Sequence, residues 1–442
     1  MAINATVEAR EQEVEVGSRV SLPPVLREFC AVVVGLSLLS TLYCLVMHFG
    51  FHAGYPYDWP FYLPDQRFGD FTIYEQKFKL FHQAAFFTSG FPFTYPAPMA
   101  LLYEMLFKLG DTYDLCAFLT VASLGFVVPA MLFGRALWNR GLSTGVAIGV
   151  AGIALLLSWP ALLLFDRANV EIFVWLALAV GTWAYARNRE WTAAAMFGIA
   201  ASLKLFPFVY LALFLSRRKF GKLLFGAMTF AVTMIASLAI LGPTTRTAYA
   251  GISNGLAFFQ KEYMMTYKPG ETGLDHSLLG FVKVIVGAAS GNYSFNPLMV
   301  KLYLPVTAIC GLLLYGMKIR KLPWVNQLLV LTIVAIYFTP FSGDGTLIHL
   351  YYPFALCCFL AIEAWRQQVS IRGLRVIFFC FAYLFATESF FVFYGFRYEG
   401  QAKCFVLGIL LVCALRYPLG IALERGDDDL THPDARQIGS AL

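Results

Sequence analysis

The chain has 442 residues, of which 59% are hydrophobic (AVILMFWYC) and 14% charged, with a mean hydropathy of +0.66. A soluble chain has about 45–50% apolar residues with glycine counted, and about 25% charged ones, so a water-soluble globule, a disordered chain, a secreted disulfide scaffold and a nucleic-acid-binding domain are excluded. The net charge of +6, from 33 Lys+Arg against 27 Asp+Glu, fits the basic cytoplasmic loops of an integral membrane protein.

Residues 1–26 are polar and read as a cytoplasmic N-terminal tail, and 27–422 as one integral membrane domain. The first apolar run, 28–50, has no small-residue cleavage site after it and reads as a retained span. Residues 51–95 form a first outside loop rich in aromatics and prolines. Of the apolar stretches 97–109 and 115–134, one crosses and the other dips or lies along the interface. Residues 142–164 go out and 171–187 return. Residues 191–203 and 205–216 read as one helix broken at Lys204-Leu205-Phe206-Pro207, and 222–242 as the next crossing. A second long outside loop, 243–298, carries an interfacial helix near 277–288. Runs 299–317, 324–341, 346–365, 376–396 and 403–421 complete the domain, and 423–442 reads as a cytoplasmic tail with Asp427-Asp428-Asp429. The fold class is an all-α polytopic membrane protein with about eleven membrane helices, by the length a span needs. This path places every basic cluster inside: 135–140, 187–189, 217–222, 318–321 and 366–375. The nine cysteines show no CxxC spacing and read as small buried hydrophobes.

The same path brings Asp70, the break Asp166-Arg167-Ala168-Asn169-Val170-Glu171, Lys204, Asp344 and His349 to one face, outside or just below it. Ionisable groups at membrane depth are costly and tend to face a cavity, so these residues predict one polar pocket. Asp70, in Gly69-Asp70-Phe71-Thr72-Ile73-Tyr74, is the candidate general base for an acceptor hydroxyl, with Asp58 and Asp65 as loop competitors. Lys204 sits beside the helix-breaking Pro207, where backbone breaks line cavities, and suits a phosphate as a point charge. Glu171 either caps its helix or faces inward, and His349 with Tyr351 and Tyr352 either packs or binds phosphate or sugar hydroxyls. No Walker loop, GxGxxG unit, HExxH or serine elbow is present.

In order along the chain stand Asp70-Phe71-x-x-Tyr74, Tyr95-Pro96-Ala97-Pro98 opening a helix, Asn169-Val170 before a helix, Ala200-Ala201-Ser202-Leu203-Lys204-x-x-Pro207, and His349-x-Tyr351-Tyr352. This order resembles the C-type (GT-C) glycosyltransferases, and most closely the polyprenol-phosphate-mannose-dependent α-1,2-mannosyltransferases of glycosyltransferase family 87. The resemblance covers about residues 25–420. It implies a GT-C-like bundle in the bacterial plasma membrane, with its active site on the extracytoplasmic face. It also implies transfer of a hexose, mannose by the resemblance, from a polyprenyl-phosphate donor to a lipid- or glycan-linked acceptor, with inversion. Asp70 matches the family's base, while Lys204 and His349 match residues near the donor phosphate. Arg167, Asn169, Glu171, Tyr74, Tyr95 and Tyr351 are the further substrate-binding candidates. No cofactor, metal or nucleic acid is expected, and the remaining partners are membrane lipids. The rival from another class is a polytopic transporter or flippase, and a lipid-linked glycan ligase is a third reading.

Overall fold

The computed structural model describes residues 21–58, 67–110, 113–265, 273–291, 297–387, 392–393 and 396–419. The chain termini, Asp65 and Asp427-Asp428-Asp429 therefore lie outside the described residues. Apart from an antiparallel pair of two-residue strands, β1 (Val392–Phe393) and β2 (Phe396–Arg397), the regular structure among the described residues is helical.

Proline opens several helices, where its missing N–H costs nothing: α1 (Pro24–Leu45), α2 (Ala97–Phe107) and α5 (Trp159–Arg167) each carry one in their first turn. α1 continues as a π-turn to Gly50, and three single helical turns follow in the first loop. α3 (Asp114–Asn139) is 26 residues long and apolar enough to cross a bilayer, whereas α2 has 11 residues. Of the two stretches between 97 and 134, α3 is therefore the one of crossing length. The run 142–164, read as one span, is instead α4 (Thr144–Ala151) with its π-turn extension and α5, bent by 47°. Pro160, in the first turn of α5, lacks the N–H that a straight continuation would need.

α6 (Glu171–Ala186) and α7 (Glu190–Leu203) form an antiparallel pair. The predicted break follows, with Lys204 in extended backbone, a 3₁₀ segment Phe206–Leu211 and α8 (Ala212–Ser216). α9 (Phe220–Leu241) packs closely on α7. A Cβ on Gly198 would press into the Gly226 carbonyl and stand 2.9 Å from the Thr229 Cβ, and one on Gly226 would stand 2.5 Å from Leu211. Helices in lipid gain from such small-residue contacts because backbones can approach. Gly198→Leu should therefore overpack this joint by about 1–3 kcal/mol, seen as a lower detergent-phase unfolding temperature; an unchanged one would show that the helices part freely.

Beyond lie α10 (Thr245–Phe259, capped by Thr244), α11 (Leu278–Ser290, capped by Ser277), α12 (Pro297–Met317), α13 (Trp324–Tyr337), a 3₁₀ segment Asp344–Leu350 leading into α14 (Tyr351–Arg366), α15 (Leu374–Phe385) and α16 (Glu399–Arg416). α15 stops at Phe385, short of the run read to 396. α13 and α14 bury most of their residues at the centre of the bundle. α9 and α12 expose apolar side chains, including Leu224, Val232, Ile235, Val306, Ile309 and Leu313. Water would penalise that surface and lipid does not. Cys116 and Cys310 are also exposed, against the reading of all the cysteines as buried. Among the described residues five helices are long and apolar enough to cross a membrane, or six if the bent pair is one span.

The basic clusters gather at one end. Arg366 donates to the Arg140 carbonyl at 2.5 Å, Arg375 pairs with Glu28 at 2.7 Å, and Arg217 covers the Tyr185 ring at 4.5 Å. The Asn326 amide donates to the Tyr417 carbonyl, and Trp324 contacts Tyr185, so these clusters are linked through the starts and ends of neighbouring helices.

Candidate active site

At the far ends of the helices that start or finish in that basic layer, the polar breaks converge. Phe68, in the left-handed region at φ 58°, turns the first loop so that its N–H donates to the Asp166 carbonyl at 2.7 Å. This docks the turn Gly69–Thr72 against the end of α5. Phe71 is buried against Tyr103 and Phe107, and the Tyr103 hydroxyl donates to the Asp70 carbonyl at 2.7 Å. An apolar anchor beside the acid fixes the backbone and leaves the carboxylate to point away.

That carboxylate meets the α5–α6 break. Ala168 closes α5 in the left-handed region at φ 48°, which reverses the chain within three residues. Asn169 then serves both sides. Its Oδ1 accepts the Glu171 N–H at 2.9 Å, capping α6, while its Nδ2 donates to Asp70 Oδ2 at 2.6 Å. The acid-capped loop weighed for this segment is thus an amide-capped one. Arg167 Nη2 donates to Asp70 Oδ1, closing an ion pair in which both side chains are about one-fifth exposed (17% and 23%).

Glu171 is 1% exposed and accepts from two elements. Lys204 Nζ, from the helix break, donates to Oε2, and His349 Nε2 lies 2.7 Å from Oε1. Lys204 also lies 5.7 Å above the centre of the Tyr95 ring. Tyr74 and Tyr95 complete this wall, with the Tyr74 hydroxyl 2.9 Å from that of Thr94. Burial, with nearby Tyr74, Asp70 and Glu171, pushes the Tyr95 hydroxyl well above its ordinary value, so it works as a neutral hydroxyl.

Asp70, Tyr74, Tyr95, Arg167, Asn169, Glu171 and Lys204 all line one cavity of about 460 Å³. Leu256, Phe259, Tyr263 and Met264, from α10 and the π-turn after it, line an apolar part of its wall. Seven of the nine predicted residues are thus brought together at the cavity surface. His349 lies behind the cavity surface, buried against two residues that line it, Phe206 and Glu171. Tyr351 is not part of the group: its hydroxyl bonds to that of Ser158 at 2.5 Å, and its ring packs among Phe126, Trp175 and Phe385 in the core. Two residues past His349 the chain enters α14, which points that ring into the bundle. Asp58 is exposed and away from the cavity lining.

Sequence reading misses a second polar cluster. Asp344 Oδ2 accepts from Lys403 Nζ and from Trp159 Nε1, each at 2.7 Å, and its Oδ1 lies 3.3 Å from His276 Nδ1. Asp344, Lys403 and His276 are at most 1% exposed. The signals were Asp275-His276-Ser277 in the second long loop and a lysine in the last apolar run. Neither points to Asp344 until the chain is folded.

A helical bundle with apolar outward-facing helices, and a cavity of paired acids and cations beside an apolar wall, is an arrangement that a membrane-embedded group-transfer enzyme can use. Residues 93–288 match the model of glycosyltransferase family 87. The matched segment is a glycosyltransferase 87 domain of the GT-C class, a family that implies a membrane glycosyltransferase. The match includes Arg167, Asn169, Glu171 and Lys204, with Asp70 before it and His349 after it. No curated protein and no solved structure matches the chain.

Proposed function

We propose that the protein transfers a hexose, mannose in the first instance, from a polyprenyl-phosphate-sugar donor to the hydroxyl of a lipid- or glycan-linked acceptor, with Asp70 as general base. The observation that carries this reading is that Asp70 and Lys204, 134 positions apart by their numbers (204 − 70), line the same cavity. The acceptor hydroxyl gives its proton to Asp70 while its oxygen bonds to the anomeric carbon. The bond from that carbon to the phosphate oxygen breaks, and the phosphate keeps the electron pair. A single displacement of this kind inverts the anomeric centre. Lys204 and Arg167 supply positive charge where the leaving phosphate gains negative charge, the place where fixed charge lowers a barrier most. His349 steadies this arrangement by holding Glu171. The apolar α10 side of the cavity suits the polyprenyl chain.

The orientation follows from charge. α6 and α7 have 16 and 14 residues, so the cavity stands about 21–24 Å from the basic end at 1.5 Å rise per residue. With that end cytoplasmic, the cavity lies at the extracytoplasmic side of the plasma membrane, within reach of a lipid carrier. The path of about eleven crossings then requires several of the shorter apolar helices to span as well.

The test is incubation of the purified protein with a panel of radiolabelled polyprenyl-phosphate hexoses and membrane extract, followed by determination of the product anomer. Labelled glycan with inverted configuration, made best from the mannosyl donor, is expected. Movement of lipid-linked sugar across proteoliposomes with no transfer would favour a transporter instead.

A further inference from the structure

The cavity has a second polar wall that the chemistry above leaves unused. Thr339, Ser342, Gly343, Asp344, Gly345 and Thr346 line it. Behind it lies the buried Asp344–Lys403–His276 cluster. His276 Nε2 is 2.9 Å from the Ser342 hydroxyl and 3.2 Å from that of Thr346, and the two hydroxyls are 2.8 Å apart.

Hydrogen-bond directions in such a chain are set by its charged end. The Asp344 carboxylate only accepts, so His276 donates to it from Nδ1; Lys403 already pairs with that carboxylate, and in the neutral ring Nε2 is then the acceptor. Ser342 donates to Nε2. Thr346 donates to Ser342 or to the Gly343 carbonyl, which lies 3.0 Å away. In either case the last oxygen, Thr346 Oγ1, has lone pairs and no proton to offer. Thr346 is half-buried and lines the cavity. Beside it the wall is bare: a Cβ on Gly345 would meet nothing within 4 Å.

We propose that Thr346, aimed by the Ser342–His276–Asp344–Lys403 relay, is a hydroxyl-recognition subsite that accepts a hydrogen bond from a hydroxyl of a pyranose ring, with Gly345 leaving space for the ring. The ring belongs to the donor sugar or to the acceptor glycan. The proposal rests on the cavity being a sugar-transfer site. It makes Thr346 a specificity-determining residue, because a polar group fixed in one direction discriminates against a ligand lacking the matching hydroxyl more strongly than an apolar wall does.

Thr346→Val keeps the shape and removes the oxygen. The expected result is a rise of about tenfold in KM for one of the two sugar substrates, the size of one hydrogen bond lost, with kcat and the other KM within about twofold. A rise for the donor places the donor sugar at Thr346; a rise for the acceptor places the acceptor there. Among singly deoxygenated analogues of that sugar, one should lose about as much with the wild type and nothing more with the variant, which a merely structural role would not produce. Gly345→Val should cut transfer at least tenfold without lowering the unfolding temperature, since the new methyls enter open space. Unchanged KM for both substrates in Thr346→Val, or full transfer by Gly345→Val, overturns the proposal while the wild type still transfers sugar. A wild type that transfers no sugar from any polyprenyl-phosphate hexose overturns the underlying reading, and this one with it.

Discussion

Asp70→Asn should reduce sugar transfer by at least about 100-fold, within the range general-base groups contribute, while the protein still purifies as a folded monodisperse species. The amide is nearly isosteric, and the turn around it stays fixed by Phe71 and by the Tyr103 hydroxyl on the main-chain carbonyl. What is lost is the ability to take the acceptor proton. The amide oxygen still accepts from Arg167 Nη2, while the charge of a mostly buried pair and the Asn169 bond to Oδ2 are lost. The unfolding temperature should therefore fall while the protein still folds. Initial-rate measurement at saturating donor checks the loss of transfer, and near-normal turnover would remove Asp70 from the role.

Lys204→Met should fail in two separable ways. Glu171 is nearly fully buried and would face only His349 of the two partners described above. Breaking such a pair costs about 3 kcal/mol, at the low end for buried pairs because Lys204 is 22% exposed. Transfer should fall by about 100-fold or more for want of the cation at the leaving phosphate. Lys204→Met with Glu171→Gln removes both charges, and should regain most of the stability and none of the transfer. Recovery of transfer in the double variant would make Lys204 a structural residue only.

Both variants concern residues that the sequence already picked out, and the reason is physical. A lysine beside Pro207 in an apolar run, and a polar break between Phe165 and Ile172, are costly in lipid unless they face a cavity. Position in the chain was therefore enough to bring Asp70, Arg167, Asn169, Glu171 and Lys204 to one face. Their pairing was not legible. That Asn169 caps α6 with one atom and holds Asp70 with another depends on the left-handed turn at Ala168, which no local rule demands of an alanine. Tyr351 illustrates the converse: it follows His349 by two residues, but helical geometry turns it into the core. His276 and Lys403 escaped because each reads as ordinary alone, and only the meeting of the second loop with α16 gives them Asp344 as a common partner. The bend between α4 and α5 was hidden in a run whose apolar character never lapses for long.

In the proposed reaction one cavity holds the donor phosphate between the cations of the two breaks and presents the acceptor to Asp70. An electron cryo-microscopy structure of the protein in nanodiscs with bound polyprenyl phosphate tests this placement. Phosphate density within salt-bridge distance of Lys204 or Arg167 is expected, with a lipid tail leaving past Phe259 and Tyr263. Phosphate density at the basic end of the bundle, with this cavity unoccupied at saturating lipid, would contradict it.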